Sequence, residues 1–143
     1  MNHSALRISA GQDILPVLLA AAGAAEQRAE QALGAVGLSL ARLGVLTHLA
    51  EAGEPLTLGE LAERVRCVRS NVTQLVDRLE ADGLVERRSD ATDRRVIRAA
   101  LTVRGHESQA TGAGVLSGVE AEVMQAIDPE RARVLEEILA AIR

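Results

Sequence analysis

Two short apolar stripes, close together in the chain, constrain its fold more than any other feature. The first is Leu58, Leu61, Ala62 and Val65, and the second is Val72, Leu75, Val76 and Leu79. Each runs i, i+3, i+4, i+7, the spacing that lines one face of an α-helix. Thr57 with Glu60 three residues on gives the capping-box pattern at the start of the first helix. A break around Arg66 to Val68 separates it from the second, which is expected over about 69–82. Gly83 follows, where a helix end favours a left-handed residue. Two amphipathic helices joined by so tight a break make a helix-turn-helix.

The flanking segments are read from their caps and breakers. A helix is expected from Asp13 to about Leu33, broken by Gly34 and Gly37. Ser39 suits the N-cap of a helix over about 40–52, with Leu43, Leu46, Leu49 and Ala50 inward and Gly53 and Pro55 ending it. After Gly83, Leu84–Arg88 and Val96–Leu101 are β-prone and flank a polar, turn-like middle. That predicts one hairpin with a long tip, with Ile97, Ala99 and Leu101 alternating inward. Thr102 caps a helix over about 103–127 that carries Gly105, Gly112, Gly114 and Gly118. Its propensity is poor, so it depends on packing, and its small residues allow another helix to come close. Asp128-Pro129, an N-cap followed by proline at the first helical position, opens a last helix to about Ile142. The chain therefore reads as one mostly α domain over 1–143 with a small β-hairpin.

Composition narrows the functions. The 143 residues include no Phe, Tyr or Trp, yet 48% are apolar. The core is aliphatic, and functions built on aromatic stacking, such as single-strand or flipped-base binding, are disfavoured. The stretch from Ile14 to Ala25 is apolar but, at about a dozen residues, too short to span a bilayer. It reads as a buried or dimer-forming helix, and no membrane partner is expected. No signal peptide is evident, and one Cys permits no internal disulfide, so a reducing cytoplasm is the expected compartment.

The formal net charge of -4 argues against a nucleic-acid partner, but its distribution does not. All sixteen basic residues are Arg. Ten of them lie between Arg64 and Arg104 against six acids, while the remainder of the chain nets -8. A basic segment within an acidic protein is the electrostatic footprint of nucleic-acid binding. The second helix of the pair turns Arg69, Ser70, Asn71, Thr73, Gln74 and Arg78 away from its apolar stripe. These side chains suit a major groove, where Arg reads guanine and Asn or Gln reads adenine. A solvated helix face is polar too, so this alone does not decide. The hairpin adds Arg87 and Arg88 at its base and Arg94 and Arg95 near its tip, too many for an edge guard. A basic hairpin beside such a helix is a wing, able to reach phosphates or a narrow minor groove.

Order and spacing here resemble the MarR family of winged helix-turn-helix regulators. The matching residues run from Gly37-Leu38-Ser39-Leu40 to Ala52-Gly53, then Leu58 to Val65, then Ser70 to Val85, and close with Asp90 to Arg95, Leu101-Thr102 and Gly105. Asp93-Arg94-Arg95 looks like the family's Asp-x-Arg wing signature. The chain departs from the family at Arg66 and Val68, where Gly at the turn and a Ser or Thr cap are usual. The resemblance implies a winged-helix DNA-binding lobe over about 38–104 and dimerisation helices over about 10–34 and 103–143. It places Ser70, Asn71, Gln74 and Arg78 nearest bases and phosphates in the major groove, and Arg94 or Arg95 in the minor groove, with Asp93 orienting the wing. It implies a homodimer on double-stranded DNA, with a near-palindromic operator and half-sites about one helical turn apart. A small-molecule effector in a cleft between the dimer helices and the DNA-binding lobe is a further implication, for which Arg42 and the 43–49 surface are the candidates. The expected activity is transcription regulation, as a repressor relieved by a small-molecule or redox signal.

Other chemistries find less support. Cys67 in the turn reads as a small buried residue. Exposed beside Arg64, Arg66 and Arg69 it would instead be a redox switch. His3, His48 and His106 are scattered, and no His, Cys and carboxylate set has metal-site spacing, so no metal or other cofactor is expected. No phosphate loop, catalytic triad or paired carboxylate can be placed, so the chain does not read as an enzyme. The competing reading is a winged-helix protein-interaction module that does not bind DNA, which the net acidity favours. Steep salt dependence of DNA binding separates the two.

Overall fold

A computed structural model of the chain describes residues 14–66 and 69–142. The predicted helices form where their caps are. Helix α1 spans Ile14–Gly34 and α2 spans Leu40–Ala52, with the Ser39 hydroxyl accepting from the Arg42 N–H and Gly53 left-handed at φ 66°. Helix α3, Leu58–Val65, begins with the full capping box. Thr57 Oγ1 accepts from Glu60 N at 3.1 Å, and Glu60 Oε2 accepts from Thr57 N at 2.8 Å. Helix α4 spans Arg69–Ala81 and stops at Gly83, φ 72°. Strands β2, Val85–Ser89, and β3, Ile97–Leu101, form the hairpin. Helices α5, Val103–Gln125, and α6, Pro129–Ala141, carry Thr102 and Asp128 as N-caps.

The sheet has one strand more than expected. Leu56–Thr57 forms a two-residue strand, β1, which pairs antiparallel with β3 and gives the order β1-β3-β2. Leu56 sits opposite Ala99 and Thr57 opposite Arg98. Two residues are too few for alternation to show, so nothing in the sequence announced this strand.

The core is wholly aliphatic. Leu33, Val45, Leu46, Leu61, Val72, Val76, Leu79 and Val85 are fully buried, and no polar or charged residue among those described is buried. Helix α2 lies at the centre, against α1, α3, α4, α5 and β3. That explains why Val45, outside the expected stripe, is fully buried, while Ala50 is only half covered. The inward alternation expected of β3 also needs correction. Ile97 is 39% exposed, and Ala99 and Ala100 are both buried. Near the body the strand packs against α2, α3 and α5. At Ile97 it has already left the body for the wing.

Two glycines of α5 serve close approach, as their small size suggested. A Cβ on Gly112 would come within 2.7 Å of Leu43 and 2.9 Å of Leu38 side-chain atoms. One on Gly105 would lie 1.9 Å from the backbone oxygen of Leu84. The Thr102 hydroxyl fixes the same junction, donating to the Gly83 carbonyl at 2.7 Å and accepting from Gly105 N at 3.0 Å. Gly105→Ala is therefore expected to lose about 1–3 kcal/mol in urea unfolding, the usual range for overpacking. Wild-type stability in that variant would contradict the close contact.

Candidate nucleic-acid interface

The interface is built on α4. Its apolar stripe, Val72, Val76 and Leu79, is fully buried. Helical periodicity then sends Asn71, Gln74, Asp77 and Arg78 to solvent, with Thr73 half-buried. The start of the helix is set by an unusual turn. Arg66 closes α3 in the left-handed conformation, φ 54° and ψ 47°, the only non-glycine with positive φ among the described residues. It occupies the place where the family resemblance expected Gly, and it keeps the backbone shape without the side chain that favours it. Cys67 lies outside the described residues, as do the side chains of Arg69 and Ser70.

The wing is closed by two aspartates. Asp90 accepts from Thr92 N at 2.8 Å, from the Thr92 hydroxyl at 2.7 Å and from Asp93 N at 3.3 Å. Asp93 Oδ1 accepts from Arg95 N at 3.0 Å, and the Asp93 carbonyl accepts from Val96 N at 3.0 Å. Asp93 thus shapes the backbone that carries the wing arginines. Arg94 and Arg95 are exposed at the tip and, among the described residues, make no ion pair, as is also true of Arg78.

The other wing arginines are occupied. Arg87 pairs with Asp77 and Glu80 of α4, and its backbone N–H also donates to Glu80 at 3.2 Å. The base of the wing is thereby fastened to α4, with the Arg87 guanidinium engaged by two carboxylates. Those hydrogen bonds hold its pKa above the ordinary arginine value, although partial burial works against them. Arg88 pairs with Glu86. Arg98, which no sequence pattern singled out, donates to Asp90 at 2.6 Å and to Glu60 at 3.2 Å. The Asp90-x-Thr92 pattern, a common side-chain-capped turn, was the signal that could have drawn attention to it. Five of the six acids of this segment thus engage arginines, and Arg78, Arg94 and Arg95, like Arg64, Arg66 and Arg104, have no ion pair among the described residues.

Arg42 makes a second link between elements. It pairs with Asp82, just past α4, and donates to the Gly37 carbonyl at 2.9 Å. The pair stands at a shallow cleft of about 410 Å³, also lined by Leu84, Arg104 and Ser108. Away from the winged lobe, large apolar side chains face outward. Ile14, Leu15 and Leu19 of α1, Ile138 of α6 and its C-cap Ile142 are each more than half exposed, and α6 buries no residue. His48 is half-buried, 3.5 Å from Glu51. Among the described residues no group of His, Cys, Asp and Glu could hold a metal, and no helix is long and apolar enough to cross a membrane.

A helix-turn-helix followed by a stranded wing and flanked by long helices defines a winged helix-turn-helix protein. The comparisons agree. A family model described as MarR family matches residues 36–96. The HTH-type transcriptional repressor MdtR of Bacillus subtilis is 42% identical over 69 residues, 48% of this chain and 44% of that protein. The crystal structure of the YusO protein from Bacillus subtilis superposes with a TM-score of 0.73 at 28% identity, covering 91% of this chain and 92% of that one. CouR from Rhodococcus jostii RHA1, solved bound to p-coumaroyl-CoA, gives 0.75 at 25% identity and covers 92% of each chain. The winged-helix segment of the chain, residues 36–96, matches the MarR family. The chain spans between 42% and 65% of the length of the curated relatives it matches.

The geometry of Asp90 predicts its titration. Hydrogen bonds from Thr92 and then from Arg98 hold its carboxyl far below the ordinary carboxylate range. A carboxyl depressed on folding stabilises above its unfolded pKa and loses that contribution only as pH falls through its folded value. In a carbon-13 carboxyl titration Asp90 should remain ionised below the ordinary Asp range, near 3.9. A midpoint within that range would contradict the closed wing turn.

Proposed function

We propose that the chain is a homodimeric, sequence-specific DNA-binding transcription regulator of the cytoplasm, acting as a repressor relieved by a small molecule. The observation that carries this reading is the division of labour among the arginines. Arg87, Arg88 and Arg98 are neutralised by protein carboxylates, while Arg78 on α4 and Arg94 and Arg95 on the wing tip are left to solvent. In this reading Asn71, Gln74 and Arg78, with Arg69, Ser70 and Thr73 at the start of the helix, meet base edges and phosphates in the major groove. Arg94 and Arg95 reach the adjacent minor groove or its phosphates. Arg87 serves by holding the wing against α4, and Asp93 by shaping the tip.

Dimerisation is supported by the uncovered apolar faces of α1 and α6, since soluble monomers rarely expose contiguous patches of this kind. Two copies would present α4 twice, related by a two-fold axis. The effector is placed in the cleft at Arg42, because the Arg42–Asp82 pair joins the α1–α2 junction to the end of α4. A solved relative bound to p-coumaroyl-CoA supports a small-molecule effector. A ligand that favours one arrangement of that junction would shift DNA affinity by about 1–3 kcal/mol, the usual size of such coupling. A redox signal at Cys67 is the alternative trigger.

Binding to duplex DNA is tested by its salt dependence. Wild-type affinity should fall steeply as salt rises, and Arg94→Ala with Arg95→Ala should lower the log–log slope by about 1 for each phosphate the wing no longer neutralises. The variant should keep the wild-type unfolding midpoint. A slope unchanged in the double variant would remove the wing from the interface, and salt-independent or absent binding by the wild type would favour a protein-interaction module.

A further inference from the structure

A guanidinium joins the wing to the start of α3. Arg98 stands on β3 directly opposite Thr57 of β1 and Arg88 of β2. Its Nε donates to Asp90 Oδ2 at 2.6 Å, and its Nη1 reaches Glu60 Oε2 at 3.2 Å and the Pro55 carbonyl at 3.4 Å. Each of those partners has a second task. Asp90 folds the tip turn through Thr92 and Asp93. Glu60 closes the α3 capping box on Thr57, through the same oxygen that meets Arg98. Pro55 immediately precedes β1.

We infer that Arg98 is a positioning residue for DNA recognition, one that sets the wing tip against the helix-turn-helix by joining Asp90 of the tip to Glu60 at the start of α3. The planar guanidinium, with donors fixed in a fork, can serve both carboxylates at once, and a lysine offers no such geometry. Arg98 is half-buried between them and is not placed at the tip with Arg94 and Arg95. Its effect on DNA is therefore exerted through the shape of the tip. Arg87 does the complementary work on the other strand, tying β2 to α4. The two arginines hold the wing from both sides of the hairpin. This inference rests on the DNA-binding reading for its consequence and on the protein alone for its geometry.

The test uses Arg98→Met in the full chain, which keeps an unbranched apolar stem and removes the guanidinium. Amide hydrogen exchange is measured without DNA. Exchange at the wing, residues 89–97, should rise about tenfold or more, the scale of losing charge-assisted hydrogen bonds, while α4 keeps wild-type protection. Arg98→Lys should rescue only part of it, and this milder variant supplies the same comparison if Arg98→Met does not fold. Binding is then measured on a duplex recovered by selection with the wild-type protein. Arg94→Ala with Arg95→Ala should cost clearly less in the Arg98→Met background than alone, because the tip is already displaced. Unchanged wing exchange, or exchange raised equally in α4, would overturn the positioning role. Raised wing exchange alongside full additivity of the binding losses would overturn its link to DNA. If the wild type selects no duplex, the DNA-binding reading fails, and the exchange result still decides whether Arg98 sets the wing.

Discussion

The anchoring of α4 governs everything else in this molecule. Val72, Val76 and Leu79 disappear completely into a core shared with Leu61 of α3, Val85 of β2 and Ala99 of β3. Truncating a buried aliphatic residue of this kind typically costs about 2–5 kcal/mol for Leu, against a total stability of about 5–15 kcal/mol for a domain. With no aromatic side chain to supply bulk, that core relies on many interlocked Leu and Val contacts. The same periodicity that buries one face of α4 presents Asn71, Gln74 and Arg78 on the other. Packing and presentation are one constraint, so α4 cannot rotate to offer a different face without exposing its stripe.

Electrostatics refine what packing positions. Exposed ion pairs contribute little to stability, commonly up to about 1 kcal/mol each. Their value here lies in arrangement. Asp77 and Glu80 hold Arg87, and Asp90 and Glu60 hold Arg98, so the carboxylates of the basic segment are used to fix the wing. This resolves the apparent conflict between a chain of net charge -4 and the proposed polyanionic partner. Asp77, Glu80, Asp82, Glu86 and Asp90 are paired with arginines of the protein, and the cations at the wing tip remain without such partners among the described residues.

Much of this architecture was legible in the sequence, for a local reason. Caps and breakers act over three or four residues, so Ser39, the Thr57–Glu60 box, Gly83, Thr102 and Asp128-Pro129 located the helix ends closely. What escaped was decided by neighbours distant in sequence. Strand β1 exists because β3 passes beside Leu56–Thr57, Ile97 is exposed because the wing outruns the body, and Val45 is buried because α2 is enclosed by other elements. Within the site, counting arginines found the wing but could not sort them. Arg87 and Arg98 are separated from their carboxylates by 7 to 38 residues, and only the folded chain shows which guanidiniums are already engaged.

In the proposed dimer, the uncovered faces of α1 and α6 would pair two copies and turn one groove-reading surface into two with a fixed separation. The most direct measurement is selection of bound sequences from a pool of random duplex DNA by the purified protein. The account predicts an enriched inverted repeat whose half-sites are centred about one helical turn apart, roughly 10 base pairs. Recovery of unenriched sequence, or of a motif without two-fold symmetry, would contradict it.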